Sequence, residues 1–585
     1  MVSKPLSEVS GMKPSRQRIL ALLLLLFLSS PSPSGQRSRS GDRPRLIVIV
    51  VIDQLREEYL LRLEPFFGDG GFRRLLRYGA VFANCQYEHA PTVTAPGHAT
   101  IATGATPAVH GIINNEWYDR ETGQIVTSVS DPSRRVVGAS SGRASSPHRL
   151  LGTTLADELR MSTNFRSKVI ALSYKDRSAI LLGGKLANLA LWFDDASGAF
   201  ITSDYYADAL PDWAARFNAA RPADRYFGAR WEKAFPEAAY ALAAPDDRPE
   251  ETPLPGGGRT FPHEITGGLA QPGPAFYTAF TFSPFANDVL VELAKRAIEG
   301  EQLGRDEFPD LLAISLSTND LVGHYFGPES QEVVDLTLRT DRALASLLAY
   351  LDSRPDSDYV LALTSDHGVA PIPEYAARLK LGGRRISPTT IRQAIEDAVS
   401  ARFGEGPWIE ARAVPLLSSG FVYLDRETLA RKRLDAAEVE RVAAEAALKI
   451  PGIARAYTRT QLLAGRSQED AIARRVAASF HPTRSPDVLL VPEPFAFISA
   501  GRTGTTHGSP YSYDAHVPLL LFGRRIAVGT YHHACTPADL APTLAALLGI
   551  EVPSGATGRI LHEALRPPTS SPANPLQPSR RVSSR

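Results

Sequence analysis

Three largely apolar runs in the chain are each followed by an aspartate within four residues. The runs span residues 46–52, 311–316 and 359–364. A run without alternating polar residues is typical of a strand that is buried on both faces of a parallel sheet. In an open α/β sheet, the carboxyl ends of parallel strands share one edge, where functional sites form. The sequence therefore predicts that Asp53, Asp320 and Asp366 lie together at such an edge.

Helical patterns alternate with these runs near residues 151–161, 329–353 and 537–548. This alternation is typical of βαβ units, and it predicts an α/β/α sandwich around a mostly parallel central sheet. A fourth apolar run at 169–172 is followed by Lys175 and Arg177. We therefore expect this strand to bring basic side chains to the edge that holds the acids.

The chain has 585 residues, of which 43% are hydrophobic, and this is enough to bury a large core. We predict one main domain over residues 45–565 with two insertions. The first, at about 185–285, is rich in aromatic residues, Gly and Pro, and is predicted to be a lid. The second, at about 372–486, contains a helical pattern near 438–449 and is predicted to be a cap; the run at 488–491 then restores a strand pattern.

The first 34 residues have the pattern of an export signal, which predicts a periplasmic or secreted protein. Basic residues precede an apolar run at 19–28, and a Ser/Pro-rich stretch follows it. The run is too short to favour a membrane span, although an uncleaved N-terminal anchor is an alternative because no clear Ala-x-Ala site follows. Residues 35–44 are predicted to be a linker, and the Pro/Ser/Arg-rich residues 566–585 a disordered tail.

The overall charge and the cysteine count exclude several classes of protein. Lys and Arg number 64 against 63 Asp and Glu, so the net charge is +1 and no nucleic-acid partner is expected. We also expect that the protein has no stable membrane partner and that it is a monomer. Cys85 and Cys535 are the only cysteines, which excludes a Cys-rich zinc site. Whether they pair as a disulfide or remain two buried thiols is left open.

The stretch at residues 90–100 contains the hydroxyl that we predict to be reactive, that of Thr94. Ala-Pro-Gly follows Thr94, and a Pro near the first helical position is typical of a helix start. A hydroxyl there lies near the unpaired N–H groups of the helix, which stabilise an alkoxide or a phosphate ester. The alternative is an ordinary N-cap. Thr92 is the less favoured hydroxyl because it lacks the Ala-Pro-Gly context.

Carboxylate and imidazole groups recur at spacings that suit metal ions. Asp320 and His324 are four residues apart, so both can reach one ion from a single helical turn or a tight loop. Asp366 and His367 are adjacent just after an apolar run, and His507 follows a Gly/Thr-rich loop. Imidazole and carboxylate ligands without thiolates suit zinc and other borderline divalent ions. Each of these fragments alone is a weak signal of a metal site. The prediction rests on their joint placement after predicted strands.

Taken in order, these residues resemble the alkaline phosphatase superfamily, in the branch that uses a threonine nucleophile. The resemblance runs from about residue 45 to about residue 550 and rests on Asp53, Thr94 with Ala-Pro-Gly-His98, Asn115, Asp320 with His324, Asp366 with His367, and His507. It implies two zinc ions and a covalent phosphothreonine on Thr94. It also implies that one zinc is held by Asp320, His324 and His507, and the other by Asp53, Asp366, His367 and the Thr94 oxygen. His98 is not an additional ligand in that family and is expected to pack or to support a ligand.

Within that branch, phosphodiesterases and nucleotide pyrophosphatases share these ligands with phosphate monoesterases, so other residues decide the substrate. The Lys175-Asp-Arg177 segment resembles an element of PafA-type bacterial alkaline phosphatases, which implies that both cations contact the phosphoryl group. Asn115 aligns with an asparagine that donates to a nonbridging oxygen, with Asn114 as the neighbouring alternative.

Charge balance favours the monoester. Two zinc ions are offset by three aspartates and a Thr94 alkoxide, so Lys175 and Arg177 would match the two charges of a monoester. We predict an exported alkaline phosphatase that acts on small phosphorylated substrates, with a phosphodiesterase or nucleotide pyrophosphatase as the alternative. The lid at about 185–285 is expected to shape the preference for leaving groups.

Overall fold

The computed structural model describes residues 43–140, 142–355, 357–465 and 470–566. The predicted export signal, residues 35–42 of the predicted linker and residues 567–585 of the predicted tail lie outside these residues. Within the described ranges, every helix is either too short or too polar to cross a membrane.

The strands of the described residues are numbered in chain order. They are β1 (Leu46–Ile52), β2 (Ala80–Phe82), β3 (Glu116–Asp119), β4 (Gln124–Thr127), β5 (Val136–Val137), β6 (Val169–Ser173), β7 (Leu189–Asp194), β8 (Ala199–Ser203), β9 (Ala229–Trp231), β10 (His263–Ile265), β11 (Asp310–Leu316), β12 (Tyr359–Thr364), β13 (Arg384–Ile386), β14 (Phe421–Val422), β15 (Ile453–Thr458), β16 (Val488–Pro492), β17 (Ala496–Ile498), β18 (Leu519–Gly523) and β19 (Gly529–Tyr531).

The longer helices are numbered in the same way. They are α1 (Thr94–Thr103), α2 (Leu155–Ser162), α3 (Asp176–Gly183), α4 (Asp212–Ala219), α5 (Pro274–Thr281), α6 (Phe285–Glu301), α7 (Thr318–Phe326), α8 (Gln331–Ser353), α9 (Pro388–Phe403), α10 (Ala436–Ala447), α11 (Ala471–Ser479) and α12 (Leu540–Leu548). Shorter α-helices span Glu57–Arg62, Phe72–Tyr78, Pro107–His110, Glu237–Tyr240, Pro373–Arg378, Arg426–Lys432, Arg459–Leu463 and Ser512–Ala515.

A central sheet of ten strands has the order β19-β2-β18-β12-β1-β11-β6-β7-β8-β5. β1 pairs in parallel with β11 on one side and β12 on the other, and β6 pairs in parallel with β11. Antiparallel pairs join β18 to β12 and β8 to β7, toward the two edges of the sheet. This arrangement confirms the predicted α/β class with a mostly parallel central sheet.

The residues of β1 explain why this strand lies at the centre of the sheet. All seven are buried, and successive side chains point to opposite faces of a strand. Leu46, Val48 and Val50 pack into one hydrophobic core, whereas Ile47 and Ile49 pack into a second core. Each fully buried Val, Leu or Ile contributes about 1.5–3 kcal/mol relative to exposure. The strand that carries Asp53 is therefore fixed from both faces.

The two predicted insertions differ from the structure in their boundaries. The segment at 185–285 contributes β7 and β8 to the central sheet, so this part of it is scaffold and not lid. β16, which the sequence places after the cap, pairs instead with β14 and β15 in a separate sheet of three strands. Its residues Val488 and Leu490 are buried in a third hydrophobic core together with helices α9 and α10. A continuous apolar run indicates burial on both faces without saying which core provides it.

Candidate active site

Four neighbouring strands of the central sheet deliver the predicted site residues to one edge. β12, β1, β11 and β6 are adjacent in that order. Asp366 and His367 follow β12, Asp53 follows β1, and Lys175 follows β6. Asp320 is the third residue of α7, which is separated from the end of β11 by one residue. Along the sheet edge the order is therefore Asp366, Asp53 and Asp320, with Lys175 after the next strand.

Thr94 is the first residue of α1, and its side chain is buried. Its hydroxyl makes no capping hydrogen bond, since Val93 occupies the cap position without a side-chain bond. The Thr94 Oγ1 lies 3.5 Å from His367 Nε2. Gly97, one turn into the helix, allows this approach because a Cβ there would lie 2.3 Å from the Asp366 carbonyl oxygen. The Ala-Pro-Gly sequence thus brings the helix start against the Asp366 backbone.

The six predicted metal ligands form two groups of three, within each of which the potential ligand atoms lie within 4.8 Å of one another. One group is Asp320, His324 and His507, and the other is Asp53, Asp366 and His367. In the first group, the Nε2 atoms of His324 and His507 lie 3.2 and 3.4 Å from Asp320 Oδ1. In the second, His367 Nε2 lies 3.4 Å from an oxygen of each aspartate.

The three imidazoles share one orientation. In each ring Nδ1 lies against a backbone carbonyl oxygen: that of Thr505 for His324, Gly368 for His367 and Thr92 for His507, at 2.8–2.9 Å. A ring that donates from Nδ1 presents the lone pair of Nε2, which is the atom that binds a metal ion. All three Nε2 atoms therefore face the carboxylates in the form that a divalent cation requires.

Two buried carboxylate oxygens also fit a cation. Asp53 Oδ1 and Asp366 Oδ2 have no hydrogen-bond partner among the described residues. Burial and the nearby Asp366 raise the pKa of Asp53 well above its usual value. Burial acts in the same direction on Asp366, but the imidazoles of His367 and His98 outweigh it and lower the pKa of that carboxyl. Such closely placed carboxylates need positive charge near them, and a divalent cation would supply it beside Lys175.

Lys175 lies between the two groups. Its Nζ is 2.6 Å from Asp53 Oδ2 and 2.6 Å from Asp320 Oδ2. Burial would lower the pKa of this amine, but Asp320 and Asp53 outweigh burial and raise it. Arg177 is the second residue of α3 and is partly buried, and no acid among the described residues forms an ion pair with it. Asp176 accepts from the backbone N–H of Arg177 and from Ser145, so it does not neutralise either cation.

Asn115 and His98 support the start of α1 from two sides. Asn115 Oδ1 accepts from the backbone N–H of Ala95 at 2.8 Å, which leaves its Nδ2 as the free donor. Asn114 Oδ1 accepts from the backbone N–H of Asn115 itself. His98 Nδ1 lies 2.8 Å from the Thr94 carbonyl oxygen and 3.2 Å from Asp366 Oδ2. His98 thus contacts a ligand, in agreement with its expected supporting position.

The sequence prediction missed Gln54 and Asp514. Gln54 is buried and has a φ of 65°, an unusual backbone for a residue other than Gly. It donates from Nε2 to Asp320 and from its backbone N–H to Asp366. Asp514 accepts from the backbone N–H groups of Gly508 and Ser509, which fixes the loop after His507. Gln54 directly follows Asp53, but nothing in its residue type signals this geometry.

The remaining residues considered from the sequence have structural contacts. The Thr92 hydroxyl donates to the Ser509 carbonyl oxygen, so it does not face the ligands. Cys85 and Cys535 are both buried, and they lie opposite each other across a parallel bridge. In this structure they are free thiols, and burial raises the pKa of Cys85 well above its usual value.

A cavity of about 470 Å³ opens beside the site. The residues that line it include His324, His507 and Asn115 of the site, together with Arg385 and Phe497. Among the described residues, none that lines the cavity lies in the predicted lid at about 185–285. The expectation that this lid shapes the leaving-group preference is therefore not supported, because the segment at 370–514 contributes most of the cavity wall.

Comparisons with known proteins agree with this geometry. The family model of the type I phosphodiesterases and nucleotide pyrophosphatases matches residues 47–513. Alkaline phosphatase PhoV of Synechococcus elongatus is 36% identical over 532 residues, which cover 90% of this chain and 93% of that protein. Alkaline phosphatase PafA of Elizabethkingia meningoseptica is 34% identical, over 89% of this chain and 95% of PafA.

The fold comparison gives the same result. The crystal structure of wild-type PafA matches with a TM-score of 0.83 at 34% identity and covers 89% of this chain and 99% of PafA. The resemblance drawn from the sequence is thus confirmed. The chain belongs to the type I phosphodiesterase/nucleotide pyrophosphatase family, among its PafA- and PhoV-type alkaline phosphatases, and is a phosphatase.

Proposed function

We propose that the protein is an exported, two-zinc monoesterase that acts on small phosphorylated substrates as a monomer and forms a covalent phosphothreonine on Thr94. The observation that carries this proposal is the placement of Lys175 between two ligand groups, with the Thr94 hydroxyl next to one of them. Export is supported only by the sequence of residues 1–34.

The donor set supports zinc as the cofactor. Asp320, His324 and His507 would hold one ion, and Asp53, Asp366 and His367 the other. These ligands combine imidazole nitrogen and carboxylate oxygen, which suits zinc. When bound, the two ions lower the pKa of a hydroxyl and offset the charge on a departing oxygen.

The protein's own groups support a two-step displacement. Thr94 Oγ1 loses its proton to water and bonds to phosphorus, while the bond from phosphorus to the leaving oxygen breaks and that oxygen takes up a proton from water. A water molecule then attacks the phosphorus, the bond to Thr94 Oγ1 breaks, inorganic phosphate is released and Thr94 Oγ1 regains a proton. The Nδ2 of Asn115, which remains free because Oδ1 accepts from the Ala95 N–H, is the donor nearest the start of α1 for a phosphoryl oxygen.

The second candidate is a phosphodiesterase, and the match to a phosphodiesterase family model over residues 47–513 favours it. A diester carries one negative charge fewer and a second substituent. The cations Lys175 and Arg177 therefore favour the monoester, because a dianion gains more from each of them.

The experiment that decides is the ratio of kcat/KM for p-nitrophenyl phosphate to kcat/KM for methyl p-nitrophenyl phosphate on zinc-loaded protein. The two substrates share a leaving group, so the ratio reports the charge of the phosphoryl group. A ratio far above one supports the monoesterase. A ratio below one would place the protein among the diesterases. The proposed roles of Thr94 and of the metal ligands would then stay the same.

A further inference from the structure

The position of Thr94 fixes the side from which a leaving group departs. Thr94 Oγ1 lies 3.5 Å from His367 Nε2, so the nucleophile stands on the side of Asp53, Asp366 and His367. In an in-line displacement, the leaving oxygen lies opposite the nucleophile. The leaving group therefore departs past the other ligand group, which contains His324 and His507.

The cavity borders that ligand group. His324 and His507 belong to its lining, whereas Asp53, Asp366 and His367 do not. Its volume of about 470 Å³ exceeds what a phosphoryl group needs and falls in the range of pockets that bind whole organic ligands. The space beyond His324 and His507 is therefore available to the leaving group.

The wall of the cavity contains an aromatic platform. β13 and β17 pair in parallel with Arg385 opposite Phe497. The neighbouring Ala496 and Ile498 are buried in the third core, so alternation along the strand turns the partly exposed Phe497 to the opposite side, where it lines the cavity. The Arg385 guanidinium lies 5.0 Å from the centre of the Phe497 ring.

Other contacts hold this platform rigid and nearly neutral. Arg385 donates two hydrogen bonds to Glu374, at 2.7 and 2.8 Å, and one to the Gly504 carbonyl oxygen at 2.6 Å. The carboxylate of Glu374 offsets the charge of the guanidinium, so the platform offers a flat apolar surface and little net attraction for an anion. Such a surface selects for an aromatic ring by stacking.

We propose that this cavity is a leaving-group subsite that binds aromatic leaving groups, such as the base of a nucleoside or an aryl ring, through Phe497. The inference rests on the proposed function, because it assigns the leaving-group side from Thr94 as the nucleophile. It makes nucleoside monophosphates and aryl phosphates better substrates than alkyl phosphates of equal charge.

The test compares kcat/KM for adenosine 5′-monophosphate and phenyl phosphate with kcat/KM for methyl phosphate, in the wild type and in Phe497→Ala. The ratio of variant to wild type for each substrate removes the intrinsic reactivity of the leaving group. We expect the variant to lose about fivefold to a hundredfold on the two aromatic substrates, the range typical of aromatic stacking. Methyl phosphate should change less than about twofold, since it does not reach the platform.

Two further variants complete the design. Phe497→Trp keeps an aromatic surface and should retain the preference, while Phe165→Ala removes a phenylalanine that is 53% exposed elsewhere and should change nothing. Equal losses on all three substrates, or no loss on any, would overturn the subsite. Should Phe497→Ala fail to fold, competitive inhibition of the wild type by adenosine but not by ribose is the expected result, and its absence would refute the proposal.

Failure of the proposed function gives a different result. A wild type that prefers methyl p-nitrophenyl phosphate to p-nitrophenyl phosphate would contradict the monoesterase. The aromatic preference is then tested by comparing kcat/KM for diesters that differ only in having an aryl or a methyl leaving group. A flat profile there contradicts the subsite independently of the reaction class.

Discussion

The side-chain amide of Gln54 donates a 2.6 Å hydrogen bond to Oδ1 of Asp320, the oxygen that also faces His324 and His507. This contact links the end of β1 to the ligand group on α7. It requires Gly323, because a Cβ at that position would lie 1.8 Å from Gln54 Oε1. The orientation of Asp320 thus depends on a residue that belongs to neither ligand group.

Gln54→Ala is expected to weaken metal binding without removing any ligand. Partners that orient a ligand typically contribute tenfold to a hundredfold in metal affinity, so we expect a loss of about that size. Zinc content after dialysis against a graded series of chelator concentrations measures it. Gln124→Ala, at an exposed position, is the matched control and should retain zinc as the wild type does.

Thr94→Ala should abolish the covalent intermediate and keep the metal. We expect turnover to fall about a thousandfold or more, as it does when a nucleophile is removed, with the zinc content near that of the wild type. Mass spectrometry of acid-quenched enzyme should detect phosphorylated Thr94 in the wild type alone. The control variant Thr92→Ser keeps the hydroxyl that bonds to Ser509, and it should still be phosphorylated on Thr94. Unchanged turnover in Thr94→Ala would refute the assignment of Thr94 as the nucleophile.

Replacing Lys175 and Arg177 by Ala should penalise monoesters more than diesters. A charged hydrogen bond contributes about 1.5–3 kcal/mol, so each lost contact to a phosphoryl oxygen lowers kcat/KM by one to two orders of magnitude. The comparison uses p-nitrophenyl phosphate and methyl p-nitrophenyl phosphate on each variant. Lys185→Ala, beyond the end of α3, serves as control. Equal losses on both substrates would contradict a contact between these cations and the phosphoryl group.

Gly97→Ala should destabilise the fold and displace Thr94. The added Cβ would lie 2.3 Å from the Asp366 carbonyl oxygen and 2.7 Å from the Asp366 Cβ, and overpacking of this kind costs about 1–3 kcal/mol. Denaturant unfolding gives the free energy of unfolding. Gly501→Ala, where the nearest atom would be the Ser499 hydroxyl at 3.3 Å, should be close to neutral.

Glu251→Gln should flatten the pH dependence of stability between about pH 4.5 and 8. Burial is the main cause that raises the pKa of Glu251 from 4.5 to about 8, against the opposing effect of Arg248. The folded state therefore binds a proton that the unfolded state releases in this window, so the wild type loses stability as the pH rises. The loss is up to about 1.4 kcal/mol per pH unit.

The measurement is guanidinium unfolding at several pH values across that window. The wild type should show a falling free energy of unfolding, and Glu251→Gln a smaller slope. Glu121→Gln, on the exposed turn after β3, should keep the slope of the wild type. An unchanged slope in Glu251→Gln would assign the titration to another group.

The positions of the candidate acidic ligands could be predicted from the sequence for a physical reason. A strand buried on both faces leaves a largely apolar run, and the first acidic residue after it, such as Asp53 or Asp366, marks the sheet edge. The supporting contacts leave no such mark. Gln54 acts through a positive φ, and Lys175 bridges Asp53 and Asp320, which are far apart in sequence. Both depend on tertiary placement, which residue spacing does not encode.

The boundaries of the predicted cap and lid were less predictable, because a pattern of buried residues does not indicate which strand pairs with which. β16 has the composition of a central strand but pairs within a separate sheet. Likewise, β7 and β8 lie within a segment whose composition suggested a lid, although they extend the central sheet.

The third hydrophobic core contains the buried residues of α9 and α10, whereas β16 places Val488 and Leu490 in that core and Leu489 and Val491 in the second core, which also holds Ile47 and Ile49. Native-state hydrogen exchange should therefore find two levels of protection. Amides of α9 and α10 should open in sub-global fluctuations, while those of β1 should exchange only when the whole molecule unfolds. Substitutions in the core of α9 and α10 can then accumulate during evolution and change the region beside the cavity, while β1 and Asp53 at its end keep their positions.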